Sequence, residues 1–320
     1  KTVGKTIDVS IGFTEESTTG KFPLNLEVEK PQQTIQQLVV SGQEMGTMEF
    51  ADVATVSVDI EKDIPRSGRK GEHDLAIVFG IESYKNVPGV SFAKRDATWM
   101  KKYFENILGI PKNRIYYKTD TDVGQAEFSK VFSEDGWLDK RVKEGETNLY
   151  VYYAGHGAPD MKKNKAYLIP YDGDPNYASQ TGYEMDALYE QLGNLGAASV
   201  TVFLDACFSG ANRNNEMLLS DARPVFMEVQ AGIPGNVTVF SAAGGKEISS
   251  AWPEKKHGLF SYFLMKGMRG DADVNGDREI TMGELGDYIK ENVSDMAGML
   301  DREQTPGLQT MNRGKVLVKY

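Results

Sequence analysis

The chain has 320 residues, 36 Lys and Arg against 46 Asp and Glu, a formal charge of −10, one Cys and three His. An acidic chain without a Lys/Arg run is poorly suited to hold phosphate backbones, which argues against nucleic acid as a partner. A single Cys closes no intrachain disulfide and builds no multi-Cys metal cluster, and no apolar run approaches the ~18 residues that a membrane-spanning helix needs.

Residues 1–64 read as a β-rich N-terminal domain. Leu24, Leu26 and Val28 alternate with Asn25, Glu27 and Glu29, and Val56, Val58 and Ile60 alternate with Thr55, Ser57 and Asp59. A period of two puts one face of a strand in a core and the other in water. Residues 65–73 are polar and lack apolar anchors, so they read as a linker or exposed loop open to proteases. The first residue is Lys1 rather than Met, which fits either a removed leader or a fragment. With the β-rich front end, it leans toward an exported bacterial protein.

From residue 74 the pattern changes. Leu75 to Ile81 is a continuous apolar run, the mark of a strand buried on both faces. Ala93, Ala97, Met100, Phe104 and Ile107 then recur at helical spacing. Further strands are predicted at Ile115–Lys118, Asn148–Ala154, Ala166–Ile169, Ser199–Leu204 and Val237–Phe240. Helices are predicted near 125–134, 184–194, 259–269 and 282–297. Alternating strands and helices over 74–320 indicate an α/β domain, a mostly parallel sheet with helices on both faces. Such sheets bind ligands outside the carboxyl ends of their strands.

Two of these strands end in reactive residues. Asn148–Ala154 runs into Gly155-His156-Gly157, and Ser199–Leu204 runs into Asp205-Ala206-Cys207-Phe208-Ser209-Gly210. Parallel strands put both tips on one edge of the sheet. A Cys and a His there suffice for nucleophilic acyl transfer, with the imidazole generating thiolate and later protonating the leaving amine. A lone Cys after an apolar strand is also commonly a packed core residue, whereas a His between two glycines is harder to explain as core. The two lie 51 residues apart, close to the about 50 that separate His and Cys in caspases.

With these motifs in hand, the segment from about Asp74 to about Pro306 resembles the caspase-like cysteine peptidases, nearest the bacterial metacaspase-like branch. Five stretches carry the resemblance: the Ala76–Ile81 strand ending in Gly-Ile-x-x-Tyr, Ala93–Ala97 with Asp96, Tyr-Tyr-Ala-Gly-His-Gly, Asp-Ala-Cys-Phe-Ser-Gly, and the segment from His257 to Leu264. The resemblance implies a caspase-haemoglobinase fold, Cys207 as nucleophile, His156 as base, and the N–H groups of Gly157 and Cys207 as the oxyanion hole. It also implies a protein or peptide substrate. Caspases carry Gln where Asp205 stands, two residues before the Cys. Metacaspases carry an acid there and cleave after Arg or Lys. Asp96 matches a second metacaspase pocket acid, and the end of the Val237–Ser241 strand would lie near the pocket, with Ser241 in its wall. Two carboxylates facing a guanidinium would give charge-assisted, bidentate recognition. A structural reading of Asp96 is a cap on its own helix. Ala154 departs from the Ser that many metacaspases carry, and Arg95 beside Asp96 would partly neutralise the pocket if it pointed inward. His257 reads as a helix entry with a structural role.

Asp273, Asn275, Asp277, Glu279 and Glu284 lie on one acidic loop whose positions 1, 3, 5 and 12 offer oxygen donors in the order of a calcium-binding loop. At position 6, Arg278 replaces the usual Gly. The competing reading is a turn in which Thr281 and Glu284 form a capping box. Asp172 matches one ligand of the calcium site found elsewhere in metacaspases, but the acidic pair expected downstream is broken by Met185. The polar stretch Ala211–Gly235 contains Arg213 and Arg223 and is the candidate for self-cleavage.

The sequence thus predicts a cysteine endopeptidase for basic P1 residues, calcium-dependent and self-processing. A catalytically silent caspase-like module that binds a partner or signals is the rival. The retention of both His156 and Cys207 favours the enzyme.

Overall fold

The structure is a computed structural model that describes residues 58–160, 162–208, 233–244 and 247–320. The expected β segment lies outside them up to residue 57. From Val58 on, the described residues belong to one compact unit.

In chain order the elements are β1 (Leu75–Gly80), α1 (Ala93–Asn106), β2 (Ile115–Thr119), α2 (Gln125–Phe132), β3 (Asn148–Ala154), β4 (Gly157–Asp160) and β5 (Lys165–Leu168). There follow α3 (Ala178–Thr181), β6 (Tyr183–Glu184), α4 (Met185–Asn194), β7 (Ser199–Asp205), β8 (Val237–Ser241), β9 (Ala251–Trp252) and β10 (His257–Gly258). The last are α5 (Leu259–Lys266), β11 (Glu279–Thr281), α6 (Met282–Met299), β12 (Gly307–Gln309) and β13 (Val316–Lys319).

Six strands form the central sheet in the order β12-β8-β7-β3-β1-β2. Five are parallel, and β12 closes one edge antiparallel to β8. The alternation of Cβ directions explains the two layers. Leu75, Ile77 and Phe79 of β1 pack with Phe128 and Val131 of α2 and Leu188 and Leu192 of α4. Ala76 and Val78 pack on the other face with Met100 and Phe104 of α1, Leu264 of α5, and Leu285 and Ile289 of α6. The predicted strand around Ala166–Ile169 exists as β5, but it joins a separate antiparallel sheet with β4 and β6. Its apolar run is buried there against α4 and its own cluster, so burial alone did not reveal which sheet it joins. No helix among the described residues is long and apolar enough to cross a membrane.

Two segments ahead of β1 are fastened to this body. Asp59–Glu61 forms a short 3-10 turn with Ile60 wholly buried in the α1/α5 core. Burying a side chain of that size contributes about 1.5–3 kcal/mol. The Tyr103 hydroxyl donates to Ile60 O at 2.7 Å and the Tyr262 hydroxyl to Asp59 Oδ2 at 2.7 Å. Residues 65–73 are held without apolar anchors: Arg69 pairs with Asp74 at 2.6 Å and donates to the Tyr150 hydroxyl at 2.9 Å. Gly109, at φ 66°, passes so close to this segment that a Cβ would lie 2.0 Å from Arg69 O.

Candidate active site

The carboxyl tips of β3 and β7 adjoin. Ala154 is in register with Asp205, and the Gly155 N–H donates to Asp205 O at 3.3 Å. The turn after β3 carries His156 and the turn after β7 carries Cys207, both buried. Ser209 and Gly210, which complete the Cys motif, lie outside the described residues, as do Arg213 and Arg223 of the self-cleavage candidate.

The imidazole of His156 is held by Pro88 O and the Tyr84 ring, and its backbone by the Tyr84 and Tyr153 hydroxyls. Its Nε2 lies 2.7 Å from Pro88 O. A carbonyl oxygen only accepts, so Nε2 carries a proton toward Pro88 O, and proton exchange at the ring is left to Nδ1. The ring rests against Tyr84 with centroids 4.5 Å apart, and the Tyr84 hydroxyl accepts from the His156 N–H at 2.7 Å. The Tyr153 hydroxyl shares its one proton between His156 O at 2.8 Å and Ile169 O at 3.0 Å. Burial pushes that phenol well above its ordinary range, so Tyr153 stays a neutral donor.

Gly157 brings the two tips into contact. A Cβ there would stand 2.5 Å from the Phe208 ring and 2.7 Å from Cys207 O. Its missing side chain is what lets the His turn close onto the Cys turn. Gly157→Ala is therefore expected to force the turns apart, costing about 1–3 kcal/mol of stability and at least tenfold in turnover, roughly the loss from a misplaced donor. Thermal melts and peptide-cleavage rates check this, and a neutral substitution would remove the close-approach argument.

Asp205, the last residue of β7, is fully buried. Its Oδ1 accepts from Ser249 Oγ at 2.6 Å and its Oδ2 accepts from Ser261 Oγ, whose oxygen also bonds the Tyr152 hydroxyl at 2.6 Å. Asp96, also fully buried, accepts from the N–H of Gly258 at 3.0 Å and contacts His257 Nδ1 at 2.5 Å. The N-cap of its own helix is Phe92, with no side-chain cap, so Asp96 caps α5 rather than α1. Both acids thereby reach the first turn of α5, Asp96 through its N-cap Gly258 and Asp205 through Ser261. Ser241 ends β8 one strand over, opposite Leu204.

His257 is buried between two acids, with Nε2 2.9 Å from Glu61 Oε1. Burial works against the charged ring, but hydrogen bonds to Asp96 and Glu61 and their charges outweigh it and raise the pKa above 6.5. Burial likewise opposes ionised Glu61, but the bond from His257 and the charges of Arg95 and His257 hold it below 4.5. The linkage follows in sign. The His257 contribution is complete below its ordinary value of 6.5 and fades as pH rises through the raised folded value. The Glu61 contribution is complete above its ordinary value of 4.5 and fades as pH falls through the lowered one. The melting temperature is expected to decline on both sides of that window, and His257→Gln should flatten the alkaline limb. An unchanged alkaline limb in the variant would refute this assignment.

Sequence reasoning gave no role to Pro88, Ser249, Ser261 or Glu61, and it quoted Tyr84 only as part of a motif. The Pro88 contact is a backbone carbonyl, which carries no side-chain signature. The serines lie 44 and 56 positions from Asp205, and Glu61 lies 34 and 196 positions from Arg95 and His257.

On the acidic loop, Asp273 accepts from the N–H groups of Gly276 at 2.8 Å and Arg278 at 3.0 Å, Asn275 from Asp277 at 2.8 Å, and Asp277 from Glu279 at 2.8 Å. Arg278 adopts φ 68°, the left-handed turn for which Gly is usual. Glu284 forms the capping box with Thr281, and Glu279 turns to Lys319 at 2.5 Å. Asp172 accepts from the N–H of Gln125 at the start of α2, and Glu184 pairs with Lys165. Among the described residues, no group of three or more His, Cys, Asp or Glu is arranged to hold a metal ion.

The sequence matches the family model described as "Caspase domain" over residues 73–317. No curated protein matches it significantly. Among solved structures it is similar to caspase-1 from Spodoptera frugiperda, with a TM-score of 0.51 and 15% identity, over 80% of this chain and 93% of that one. At that identity the likeness speaks for the fold alone.

Proposed function

The chain belongs to the caspase-domain family of cysteine peptidases, and from that premise we propose that it is an endopeptidase that cleaves after Arg or Lys. The observation that carries the chemistry is the hold of Pro88 O on His156 Nε2, which dedicates Nδ1 to proton transfer beside the Cys207 turn. His156 Nδ1 takes the thiol proton, and Sγ attacks the scissile carbonyl carbon. The N–H groups of Gly157 and Cys207 hold the developing oxyanion. The imidazolium then protonates the leaving amine, and water activated by His156 hydrolyses the thioester. Asp205, with Asp96 beside the same helix end and Ser241 on the neighbouring strand, recognises the basic P1 side chain. This is supported by two buried acids converging on the first turn of α5, where a cation gains most from poorly solvated carboxylates.

Fluorogenic peptides with Arg, Lys or Asp at P1 test the reading on the full chain. Cleavage of the basic substrates alone is expected. Preference for Asp would overturn the pocket assignment, and equal rates for the native protein and Cys207→Ala would leave a silent binding module.

We extend the proposal to calcium at Asp273, Asn275, Asp277 and Glu284, whose oxygens would turn from the loop N–H groups and the capping box they now serve to surround the ion. The support is the left-handed Arg278, which supplies the turn that such loops require. Glu279 drops out of the ligand set because it faces Lys319. Titration calorimetry with Ca2+ and Mg2+ is expected to show Ca2+ binding that Asp273→Asn and Glu284→Gln abolish. Binding unaffected by both variants would refute the site.

A further inference from the structure

We propose that Glu61, which precedes the family-matched residues, is a positioning residue of the P1 site that keeps Arg95 from pairing with the substrate-binding acids. This deepens the reading above and rests on it. The turn Asp59–Glu61 is fixed by wholly buried Ile60, by the Tyr103 and Tyr262 hydroxyls, and by Lys255 Nζ at 3.0 Å from Asp59 Oδ1. These anchors set the Glu61 carboxylate, whose side chain is 2% exposed, between two cations. Arg95 Nη2 is 2.7 Å away and His257 Nε2 is 2.9 Å away.

Among the described residues Glu61 is the one ion-pair partner of Arg95, and Arg95 Nε is buried without a hydrogen-bond partner. The guanidinium is therefore held by one carboxylate. Arg95 is also the chain neighbour of Asp96, at the N-terminal turn of α1. His257 has a carboxylate oxygen on each ring nitrogen, so it sits as a doubly donating cation. Two cations and two acids balance in this cluster. Without the Glu61 charge, Arg95 and His257 share only Asp96, and the surplus positive charge opposes a basic P1 side chain.

Steady-state cleavage by the full chain tests this with Arg-P1 peptides and a Gln-P1 control, using Glu61→Gln, Arg95→Gln and the double variant. Glu61→Gln is expected to raise KM for Arg-P1 about tenfold or more, as for a lost charged hydrogen bond, with kcat nearly unchanged. Removing the Arg95 charge in the double variant should bring KM back near the native value, a rescue that a purely structural role would not produce. An unchanged KM in Glu61→Gln, or a loss confined to kcat and not relieved by Arg95→Gln, would overturn the proposal. If Glu61→Gln melts below the assay temperature, Glu61→Asp with and without Arg95→Gln is read in the same way. A native protein that cleaves no basic-P1 peptide overturns the parent reading and this one together. A native protein that does so, beside an indifferent Glu61→Gln, overturns this one alone.

Discussion

Cys207→Ala is expected to lower kcat/KM for an Arg-P1 peptide by about four orders of magnitude or more, since loss of a nucleophile leaves only binding and oxyanion stabilisation. The fold should survive. Cys207 is buried at a strand tip, and the substitution removes one sulfur atom without adding volume or a polar group. His156→Ala is expected to match it in rate but not in stability. It leaves Pro88 O without the Nε2–H that meets it at 2.7 Å, a loss of about 1–3 kcal/mol when a buried acceptor is orphaned. Active-site titration, peptide kinetics and thermal melts on the two variants separate these outcomes. Retained activity in Cys207→Ala would refute the nucleophile. A stable His156→Ala would mean that the Pro88 contact does not hold the ring.

Asp205→Asn is expected to lower kcat/KM for Arg-P1 peptides by roughly 30-fold to several thousand-fold, the equivalent of the 2–5 kcal/mol for removing one partner of a buried charged pair. Cleavage of a Gln-P1 control should change far less. Asn keeps one carbonyl oxygen for Ser249 or Ser261 and presents an amide to the other. A hydroxyl can turn to accept it, so the protein should remain folded. Asp205→Ala is harsher. Both serines are buried at 1% and 0% exposure; Ser261 keeps the Tyr152 hydroxyl, whereas the loss of the Ser249 partner costs about 1–3 kcal/mol. Loss of stability in Asp205→Ala with native Arg-P1 kinetics in Asp205→Asn would make the residue a structural post and remove it from substrate recognition.

Much of the architecture was legible because it depends on local periodicity. The run Leu75 to Ile81 has the pattern of a strand covered on both faces, and the spacing from Ala93 to Ile107 that of a helix with one apolar side. The observed β1 and α1 follow those limits within a few residues. The edge strand β12 was not legible. Three residues, Gly307–Gln309, carry too little pattern to declare a strand, and it is pairing with β8 that makes them one. In residues 65–73, which lack apolar anchors, the sequence did not show the polar contacts of Arg69 with Asp74 and Tyr150, which only the folded chain brings together.

The candidate site divides along the same line. Sequence by itself determined that a His and the one Cys end parallel strands whose tips share one edge of the sheet, since each follows its own apolar run; that the two strands are neighbours came from the structure. Sequence also determined that glycines flank the His. Tertiary structure alone decided which imidazole nitrogen is spent on Pro88 O, which glycine presses on the Cys turn, and which helix Asp96 caps. It also decided that Glu61, ahead of the family-matched residues, meets Arg95 and shares His257 with Asp96. Periodicity is a property of neighbours in the chain, whereas hydrogen bonds and ion pairs within about 3 Å, such as those of Glu61, join segments 34 to 196 positions apart, and only packing of the layers sets those distances.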